Sequence, residues 1–294
     1  MKITVFTPTY NRAYIIEKLY HSLQRQTFKD FEWIVVDDGS EDETEDLFKK
    51  IQKDKNLFEI RYIKQKNGGK HRAINKGIEI AKGELFFIVD SDDYLIDTAL
   101  KTITEIEESI PENEKKQFAG VCGQRGYSEK KENGKTFCGD ILDITSLERE
   151  KYGIYGDKAE VFYTSILKKY PFPTFENEKF ITECVVWDKI AFDKYKIRYF
   201  NKIIYISDYL PDGLTAHVKD LYKKNPKGYG LYLAQCAKYG KIRGVNKWTQ
   251  YMQYFYDHRK ELKFKEIAKN LQMNSLVFYI RLWGIRAFYK LYDK

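Results

Sequence analysis

Residues 85–93 read LFFIVDSDD, an unbroken apolar run that ends in an acidic cluster. Such a run is typical of a strand that is buried on both faces of a parallel sheet. Asp90 and Asp92 lie one residue apart at the end of the predicted strand, so both carboxylates can reach one hard cation. Mg²⁺ and Mn²⁺ prefer such oxygen ligands and commonly take others from phosphates. The alternative is an acidic turn that caps a helix starting near Asp97.

The residues before this stretch alternate strand and helix patterns. Strands are predicted at residues 3–7, 33–36, 60–63 and 85–89, and helices at residues 16–23, 41–53 and 73–81. This order predicts an α/β fold with a mainly parallel sheet and helices on both faces. Ligands of such sheets bind at the carboxyl ends of the strands. Polar clusters directly follow the four predicted strands, at residues 8–12, 37–40, 66–70 and 90–93.

The cluster at residues 37–40, DDGS, places a carboxylate where a strand ends. At that position Asp38 can accept hydrogen bonds from a base or from a ribose hydroxyl. The alternative is a turn that also caps the next helix, because Asp, Gly and Ser are favoured in both places.

The cluster at residues 67–72, NGGKHR, combines two glycines with three donors. Glycine lets the backbone approach a ligand closely, and Lys70, His71 and Arg72 can donate hydrogen bonds to a diphosphate. The stretch is not a P-loop, because Lys64 and His71 stand where that motif requires Gly and Ser or Thr. No GxGxxG pattern follows the first strand, which argues against a dinucleotide-binding fold.

The cluster at residues 7–12, TPTYNR, follows the first predicted strand. Pro8 stiffens this loop, and Tyr10 can stack on a base or cover it. The alternative is an ordinary connection from strand to helix. Each of the four clusters is weak alone, so the interpretation depends on all four meeting at one edge of one sheet.

The remainder of the chain divides into two parts. Residues 115–210 contain short strand-like pieces at 119–122, 160–167 and 199–206, which we expect to complete the sheet as mixed strands and to build an acceptor site. Beyond residue 213 the pattern is helical and rich in Tyr, Lys and Arg. We therefore predict a catalytic domain at 1–212, with a nucleotide-binding half at 1–110 and an acceptor-binding half at 111–212, and a helical region at 213–294.

Composition sets further limits on the class of protein. The net charge of +8 suits anionic partners without choosing among them. The sequence has four cysteines, Cys122, Cys138, Cys184 and Cys236, and they form no CxxC pair. This spacing favours reduced thiols in a cytosolic protein. We expect no secretory signal, because the chain leads straight into a strand, and no bilayer-spanning helix, because no run of about 18 apolar residues occurs.

At this point the set of motifs resembles the family 2 glycosyltransferases of GT-A fold. The matching segments are TPTYNR at 7–12, SLQRQTFKDFEWIVVDDGSEDET at 22–44, NGGKHRAINKGIEIAKGE at 67–84 and DSDD at 90–93. The resemblance implies a Rossmann-like central sheet and inverting transfer of a sugar from a nucleoside diphosphate, often uridine diphosphate, to a hydroxyl acceptor. It also implies a Mn²⁺ or Mg²⁺ ion and a role in the synthesis of surface polysaccharide, capsule or glycolipid.

In the family, the loop matching residues 8–10 and the acid matching Asp38 hold the nucleoside, and the acids matching Asp90 and Asp92 form a DxD motif for ribose and metal. The donor-binding residues that we predict are Thr7, Pro8, Tyr10, Asp38, Gly69, Lys70, Arg72, Asp90 and Ser91. The metal-binding residues that we predict are Asp92 and Asp90, with Asp93 and His217 as further candidates. For His217, a surface or packing role is the alternative.

Residues 180–187, FITECVVW, resemble the family segment in which an acid four residues before Trp is the catalytic base. Glu183 occupies that position, although Thr182 precedes it where the family has Glu. Glu178 is the nearby rival. A helix N-terminal acid that is stabilised by the helix dipole is the alternative interpretation of Glu183.

Two other functions stay open from the residues alone. One is a sugar-nucleotide nucleotidyltransferase, which usually has a Gly-rich loop after the first strand, and residues 7–12 contain no Gly. The other is a basic module that binds nucleic acid or membrane without catalysis, although we expect no nucleic acid as partner.

Residues 274–294 place apolar and aromatic side chains near one helix face beside basic residues. This pattern suits peripheral contact with an anionic membrane, where lipid-linked saccharide acceptors reside. Packing on the catalytic domain or on a second subunit in a homodimer is the alternative. The expected location is the cytoplasm, with the inner face of the cell membrane as the place of contact.

Overall fold

The structure is a computed structural model that describes residues 1–207 and 213–292, apart from the side chains of 214, 215 and 285–292. Its strands are β1 (Ile3–Thr9), β2 (Phe31–Asp37), β3 (Glu59–Lys64), β4 (Leu85–Ile88), β5 (Tyr94–Leu95), β6 (Phe118–Ser128), β7 (Lys131–Glu132), β8 (Ile141–Ile144), β9 (Lys158–Tyr163) and β10 (Lys196–Ile206). Its α-helices are α1 (Glu17–Gln24), α2 (Thr44–Ile51), α3 (Lys70–Ile80), α4 (Ala99–Glu108), α5 (Thr164–Leu167), α6 (Cys184–Phe192), α7 (Val218–Lys224), α8 (Pro226–Lys238), α9 (Gly244–His258), α10 (Phe264–Asn270) and α11 (Ser275–Tyr292).

The described strands form one sheet with the main order β3-β2-β1-β4-β9-β6-β10-β5, while β7 pairs with β6 and β8 pairs with β10. The first four strands of that order are parallel, as the alternation of strand and helix patterns predicts. Every residue of β1 and β2 is buried, because helices cover both faces of the sheet. Their carboxyl ends lie side by side, with Thr9 opposite Asp37.

The second half of the sheet is mixed, as expected. Strand β9 runs antiparallel to both β4 and β6, so β6 runs in the same direction as β4. The carboxyl end of β6 therefore reaches the same edge of the sheet as the acidic cluster after β4. The strand predicted at 160–167 is shorter than expected: Tyr163 pairs with Leu85, the first residue of β4, and the chain beyond has no strand partner and forms α5.

The C-terminal helices have a hydrophobic core of their own, which includes Leu233, Tyr251, Tyr254, Ile267 and Phe278. The helix predicted near residues 274–292 is present as α11. Among the described residues, no helix combines the length and the apolar character needed to cross a membrane. The predicted boundary at residue 212 lies outside the described residues, and the division into domains stays a prediction.

Reciprocal hydrogen bonds connect helix α8 to the segment at residues 178–180. The carboxylate of Glu178 accepts hydrogen bonds from the backbone N–H groups of Lys227 and Gly228, both at 2.8 Å, in the first turn of α8. In return, Asn225 Oδ1 accepts hydrogen bonds from the N–H groups of Lys179 and Phe180. This capping satisfies helix N–H groups that would otherwise lack a partner, and it fixes the loop after residue 178.

Candidate active site

A cleft of about 750 Å³ lies at the carboxyl edge of the parallel strands. It brings together nine of the predicted site residues: Pro8, Tyr10, Asp38, Gly69, Lys70, Asp90, Ser91, Asp92 and Asp93. All four polar loops therefore contribute to one cleft, as the strand-end rule predicts. The donor-binding and metal-binding roles of these residues stay predictions.

Asp38 joins three of the loops through hydrogen bonds. Its carboxylate accepts from Gln65 Nε2 at 2.8 Å, from the Gly68 N–H at 2.9 Å and from the Gly69 N–H at 2.7 Å. The Asp38 N–H donates to the carbonyl of Thr9 at 2.8 Å. Because the carboxylate is almost fully buried, these bonds make Asp38 an organiser of the cleft wall, in addition to the nucleoside contact predicted for it.

Neither acidic cluster caps a helix with its side chains. Helix α4 begins at Ala99, and Thr98 occupies its N-cap position without a side-chain hydrogen bond. Helix α2 begins at Thr44, and Glu43 occupies the corresponding position, again without one. The capping part of both alternatives is therefore wrong, but the turn at residues 37–40 is present, because Asp37 Oδ1 accepts a hydrogen bond from the Ser40 N–H at 2.7 Å.

Gly69 allows two segments to touch at the wall of the cleft. Its φ of +96° lies in the region that favours glycine, and a Cβ atom there would meet the carbonyl oxygen of Lys179 at 1.8 Å. Lys179 and the adjacent Phe180 line the cleft. This close approach connects the glycine-rich loop with the segment that leads to Glu183.

Three of the predicted donor-binding and metal-binding residues do not line the cleft. Thr7 is buried, and its Oγ1 accepts a hydrogen bond from Trp33 Nε1 at 3.0 Å. Arg72 donates instead to the backbone carbonyls of Gly68 and Phe175. His217 is exposed, next to Ala216, which does line the cleft.

The acidic cluster is held from two sides. Lys70 Nζ lies 2.7 Å from Asp90 Oδ1, and Tyr205 donates to Asp93 Oδ2 at 2.5 Å. Burial opposes the charge of Asp90, but Lys70 and Arg125 outweigh it and lower the pKa of this carboxyl below its ordinary value. Burial first, and then the Asp90 carboxylate, raise the pKa of Asp93 to about 7.

Asp92 is the carboxylate of this cluster whose charge is least compensated, because Arg12 and Lys70 offset only part of the effects of burial and of Asp90. It is half-buried, and it makes no ion pair or side-chain hydrogen bond with another described residue. Burial, followed by the Asp90 carboxylate, raises the pKa of Asp92. A cation beside Asp92 would offset both effects, so this carboxylate fits a metal ligand.

The described residues fit an Mn²⁺ or Mg²⁺ ion that takes part of its ligands from a substrate. Asp90 and Asp92 offer carboxylate oxygens, the ligands that such hard cations prefer. No group of three or more His, Cys, Asp or Glu side chains converges on one point in the part of the chain that the structure describes. The remaining ligands would have to come from phosphate oxygens and water, which is the usual arrangement for Mg²⁺.

Arg125 and Tyr205 complete the site, and neither was predicted from the sequence as a site residue. Arg125 lies 3.9 Å from Asp90 and 3.7 Å from Asp93, and its guanidinium stacks over the Tyr205 ring at 4.1 Å. The Tyr205 hydroxyl also accepts a hydrogen bond from the Asp90 N–H at 3.0 Å. The available signal was a cation three residues past the predicted strand at 119–122, but it marks this edge only if the strand direction is known.

Glu183 lies at the N-cap position of α6 without capping it, and its carboxylate reaches Lys70 Nζ at 2.9 Å. It lines a second cavity of about 380 Å³, which shares Lys70 and Asp90 with the first cleft. The rival Glu178 lines neither cavity, because both its oxygens are occupied by the first turn of α8. The geometry therefore favours Glu183 over Glu178 as a group that acts on a ligand.

Comparison with known proteins agrees with this geometry. The family model described as Glycosyl transferase family 2 matches residues 4–165, more than half of the chain. The chain belongs to glycosyl transferase family 2. The resemblance inferred from the four polar loops is thereby confirmed.

This family 2 glycosyltransferase is 31% identical over 202 residues to GalNAc(5)-diNAcBac-PP-undecaprenol beta-1,3-glucosyltransferase of Campylobacter jejuni, an alignment that covers 66% of the chain and 60% of that relative. It is 28% identical over 216 residues to glycosyltransferase GlyG of Streptococcus pneumoniae. That alignment covers 71% of this chain and 69% of GlyG. The chain thus spans less than two thirds of the Campylobacter relative's length.

Solved structures support the same fold for this family 2 glycosyltransferase. Staphylococcus aureus TarS 1-349 in complex with UDP-GlcNAc superposes with a TM-score of 0.59 at 20% identity, covering 89% of this chain and 73% of that one. The mannosyltransferase PcManGT of Pyrobaculum calidifontis, in complex with GDP-Man and Mn²⁺, superposes with a TM-score of 0.53 at 17% identity. That superposition covers 81% of this chain and 64% of PcManGT. At these identities the likeness concerns the fold alone, and it confirms the predicted GT-A-like α/β fold with a helical C-terminal part.

Proposed function

We propose that this chain transfers a sugar from a nucleoside diphosphate, with UDP as the expected nucleotide, to a hydroxyl acceptor with inversion at the anomeric carbon. The proposal depends on one observation: Lys70 is paired both with Asp90 in the donor cleft and with Glu183 in the adjoining cavity. Donor and acceptor groups would thus meet at one lysine. Family membership favours glycosyl transfer over the nucleotidyltransferase and over a basic module without catalysis.

On the donor side, the nucleoside lies against the loop of Pro8 and Tyr10, near Asp38. The Tyr10 ring is 46% exposed, so it is free to cover a base. The diphosphate lies near Lys70, which offers a cationic donor. Because Thr7 and Arg72 point elsewhere, we assign them no direct contact with the donor.

Asp92 and Asp90 would hold the Mn²⁺ or Mg²⁺ ion, and such an ion acts as a Lewis acid toward the diphosphate leaving group. Mn²⁺ accompanies the nucleotide sugar in the PcManGT structure, which supports a metal in this fold. The cationic side chains of Lys70 and Arg125 add fixed positive charge beside the same group.

On the acceptor side, Glu183 takes the proton of the attacking hydroxyl as general base. The acceptor oxygen forms its bond to the anomeric carbon while the bond from that carbon to the diphosphate oxygen breaks. Attack from the face opposite the leaving group inverts the anomeric configuration. Glu183 lines the second cavity, so an acceptor in that cavity would be on the correct side.

The acceptor that we propose is a saccharide, free or linked to a lipid, in the synthesis of surface polysaccharide, capsule or glycolipid. The Campylobacter relative is named for an undecaprenol-linked acceptor, and the TarS relatives are named for poly(ribitol-phosphate). These names support a glycan or polymer acceptor as a class.

We also propose that α11 contacts an anionic membrane from the cytoplasmic side. Its outer face exposes large side chains: Leu276, Val277, Tyr279, Ile280 and Trp283. Phe278 and Leu282 on the opposite face are buried in the helical core. Residues 213–294 carry 17 Lys and Arg against five Asp and Glu, which complements anionic lipid head groups.

The proposal is tested by a thermal-shift panel of nucleoside diphosphates and nucleotide sugars, with and without Mn²⁺. A ligand that binds only the native state raises the melting temperature by mass action. We expect the largest rise for a uridine nucleotide together with Mn²⁺. Incubation with the sugar nucleotide that scores best should then release free diphosphate nucleotide, and a panel without any shift or release would refute glycosyl transfer.

A further inference from the structure

The second cavity carries charged groups that the proposed reaction does not use. Arg149, from the 3₁₀ helix Ser146–Tyr152, and Glu160, from β9, both line it. Glu160 is the one residue of β9 that is not fully buried, because its carboxylate reaches the cavity. The cavity thus has charged groups in its lining in addition to Glu183.

The Arg149–Glu160 pair is loosely made. Arg149 NH1 lies 3.5 Å from Glu160 Oε1, and Glu160 Oε2 accepts no hydrogen bond from another described residue. The ion pair of Arg198 with Asp143 is tighter, with two hydrogen bonds of 2.9 and 2.7 Å. A buried charge without full compensation is costly, so a pair of this kind is a poor way to stabilise the fold. Arg149 NH2 also donates to the Gly156 carbonyl, so the capacity left for a ligand is the weakly used NH1 group of Arg149 and Oε2 of Glu160.

We propose that Arg149 and Glu160 form an acceptor subsite that binds neighbouring hydroxyl groups of an uncharged sugar in the second cavity. A hydroxyl group both donates and accepts, so one hydroxyl can donate to Glu160 while the next accepts from Arg149. Calling the bound sugar an acceptor rests on the proposed function, whereas the binding of a sugar depends on the cavity alone.

The charges in the cavity favour a neutral ligand over an anionic one. Its lining carries acids and cations in nearly equal number: Asp90, Asp157, Glu160 and Glu183 against Lys70, Arg125, Arg149, Lys158 and Lys179. Most of these cations already have partners. Lys70 is paired with Asp90 and Glu183, Arg125 lies beside Asp90 and Asp93, and Lys158 Nζ donates to the Tyr155 carbonyl. An anionic group beside Glu160 would therefore meet a carboxylate that Arg149 only partly compensates.

Trp187 adds an apolar wall to the same cavity. Its ring stacks on Phe162 at 4.3 Å and meets the edge of Phe172 at 5.6 Å, which fixes its orientation. Pockets for small polar ligands combine such apolar walls with a few placed polar groups. A pyranose ring, with C–H groups on its faces and hydroxyls at its rim, matches this combination.

The test measures sugar binding by the full chain without turnover. Saturation-transfer NMR is recorded with a panel of methyl hexopyranosides and with the corresponding methyl hexuronides, and UDP binding is measured by calorimetry. Glu160→Gln and Arg149→Met should each weaken hexopyranoside binding about tenfold or more, the usual loss for a hydrogen bond to a charged group. UDP binding should stay within about twofold. In Glu160→Gln the preference for the neutral sugar over the hexuronide should shrink.

Arg198→Met is the matched control, because it breaks an ion pair of the same sheet that lines neither cavity. It should lower the melting temperature and leave hexopyranoside binding unchanged. Equal binding by the wild type and both cavity variants would overturn the subsite, as would tighter binding of the hexuronide or no hexopyranoside binding by the wild type. If sugar binding depends on Arg149 and Glu160 while no nucleotide binds, the subsite stands and the proposed glycosyl transfer fails.

Discussion

Lys70 Nζ lies 2.9 Å from Oε1 of Glu183, and the same ammonium group lies 2.7 Å from Oδ1 of Asp90. Burial opposes a charge on Lys70, but the two carboxylates outweigh it and raise its pKa well above the ordinary value. Lys70 is therefore protonated at neutral pH. One permanent cation holds the proposed base and a proposed metal ligand at a fixed separation.

Replacing this lysine should damage both the fold and the site. Lys70→Met removes the cation that Glu183 and Asp90 share and leaves only the more distant Arg125, 3.9 Å from Asp90. We expect the free energy of unfolding to fall by about 3 kcal/mol, the lower end for a broken buried pair, because all three side chains keep some contact with water. Turnover should fall at least a hundredfold. Lys70→Arg keeps the charge and should recover part of the stability. Denaturant unfolding and steady-state rates measure both, and a stable, active Lys70→Met variant would contradict this role.

The two neighbouring glutamates should respond in opposite ways. Glu183→Gln removes the proposed base, so turnover should fall about 10²–10⁴-fold while UDP affinity stays within about twofold. Glu178→Gln places an amide N–H₂ group against a helix N–H donor and should cost about 1–3 kcal/mol of stability. Its turnover should stay within a few-fold of the wild type. The reverse pattern would exchange the two assignments.

The metal proposal depends on Asp92. Asp92→Asn removes a poorly compensated carboxylate from the cleft, and calorimetric titration with UDP should lose its dependence on Mn²⁺. The variant should be as stable as the wild type without metal, or more stable, because the mutation removes a like charge beside Asp90. An unchanged titration with UDP and Mn²⁺ would exclude Asp92 as a ligand.

The donor cleft was predictable from sequence because its parts are local. Each polar loop directly follows an apolar strand, and parallel strands bring their carboxyl ends to one edge whatever the exact packing. Asp38 and Asp90 could be placed by this rule alone. The rule says nothing about hydrogen bonds between loops, so the role of Asp38 in holding the N–H groups of Gly68 and Gly69 emerged only from the structure.

Side-chain direction was harder to predict than position along the chain. Strand β1 runs to Thr9, two residues beyond the predicted end, so Thr7 lies inside the strand and faces the core. A shift of one residue in a strand exchanges the two faces. Helix α3 likewise begins at Lys70, earlier than predicted. Residues two apart on a helix face different ways, so Arg72 cannot share the direction of Lys70.

Residues that depend on long-range topology could not be placed from sequence. Arg125 and Tyr205 reach the acidic cluster because β9 inserts antiparallel between β4 and β6 and thereby sets the direction of β6. No local pattern specifies that insertion. The same holds for Arg149 and Glu160, which come from different elements and meet only in the folded chain.

The contact between Gly69 and Lys179 can be separated from ordinary backbone strain by a matched pair of substitutions. Gly69→Ala forces a Cβ atom to within 1.8 Å of the Lys179 carbonyl oxygen at a φ of +96°. Gly139→Ala has a similar φ of +103° with nothing within 4 Å, so it measures the cost of the backbone conformation alone, about 1–2 kcal/mol. Gly69→Ala should cost clearly more and should also weaken UDP binding. Equal losses of stability in denaturant unfolding would show that the contact is unimportant.

The outer face of α11 should bind anionic membranes through its apolar side chains. A double variant, Ile280→Ser with Trp283→Ala, removes two side chains that are 59% and 58% exposed, so their loss leaves little cavity and stability should change little. Binding to vesicles that contain an anionic phospholipid should weaken at least tenfold, because both apolar burial and the aromatic anchor at the interface are lost. Co-sedimentation of the full chain measures the effect, and binding of the wild type should decrease with salt.

Val245→Ser is the control for this experiment, because Val245 is 76% exposed on α9 and not on the α11 face. It should co-sediment like the wild type. The α11 face could instead bind a second copy of the chain. Analytical ultracentrifugation of the wild type and the double variant without vesicles tests this, because it measures the oligomeric state. The membrane proposal fails if the wild type is a dimer, the double variant is a monomer, and both bind vesicles equally. In that case α11 is a subunit interface, and the basic charge of residues 213–294 needs a different explanation.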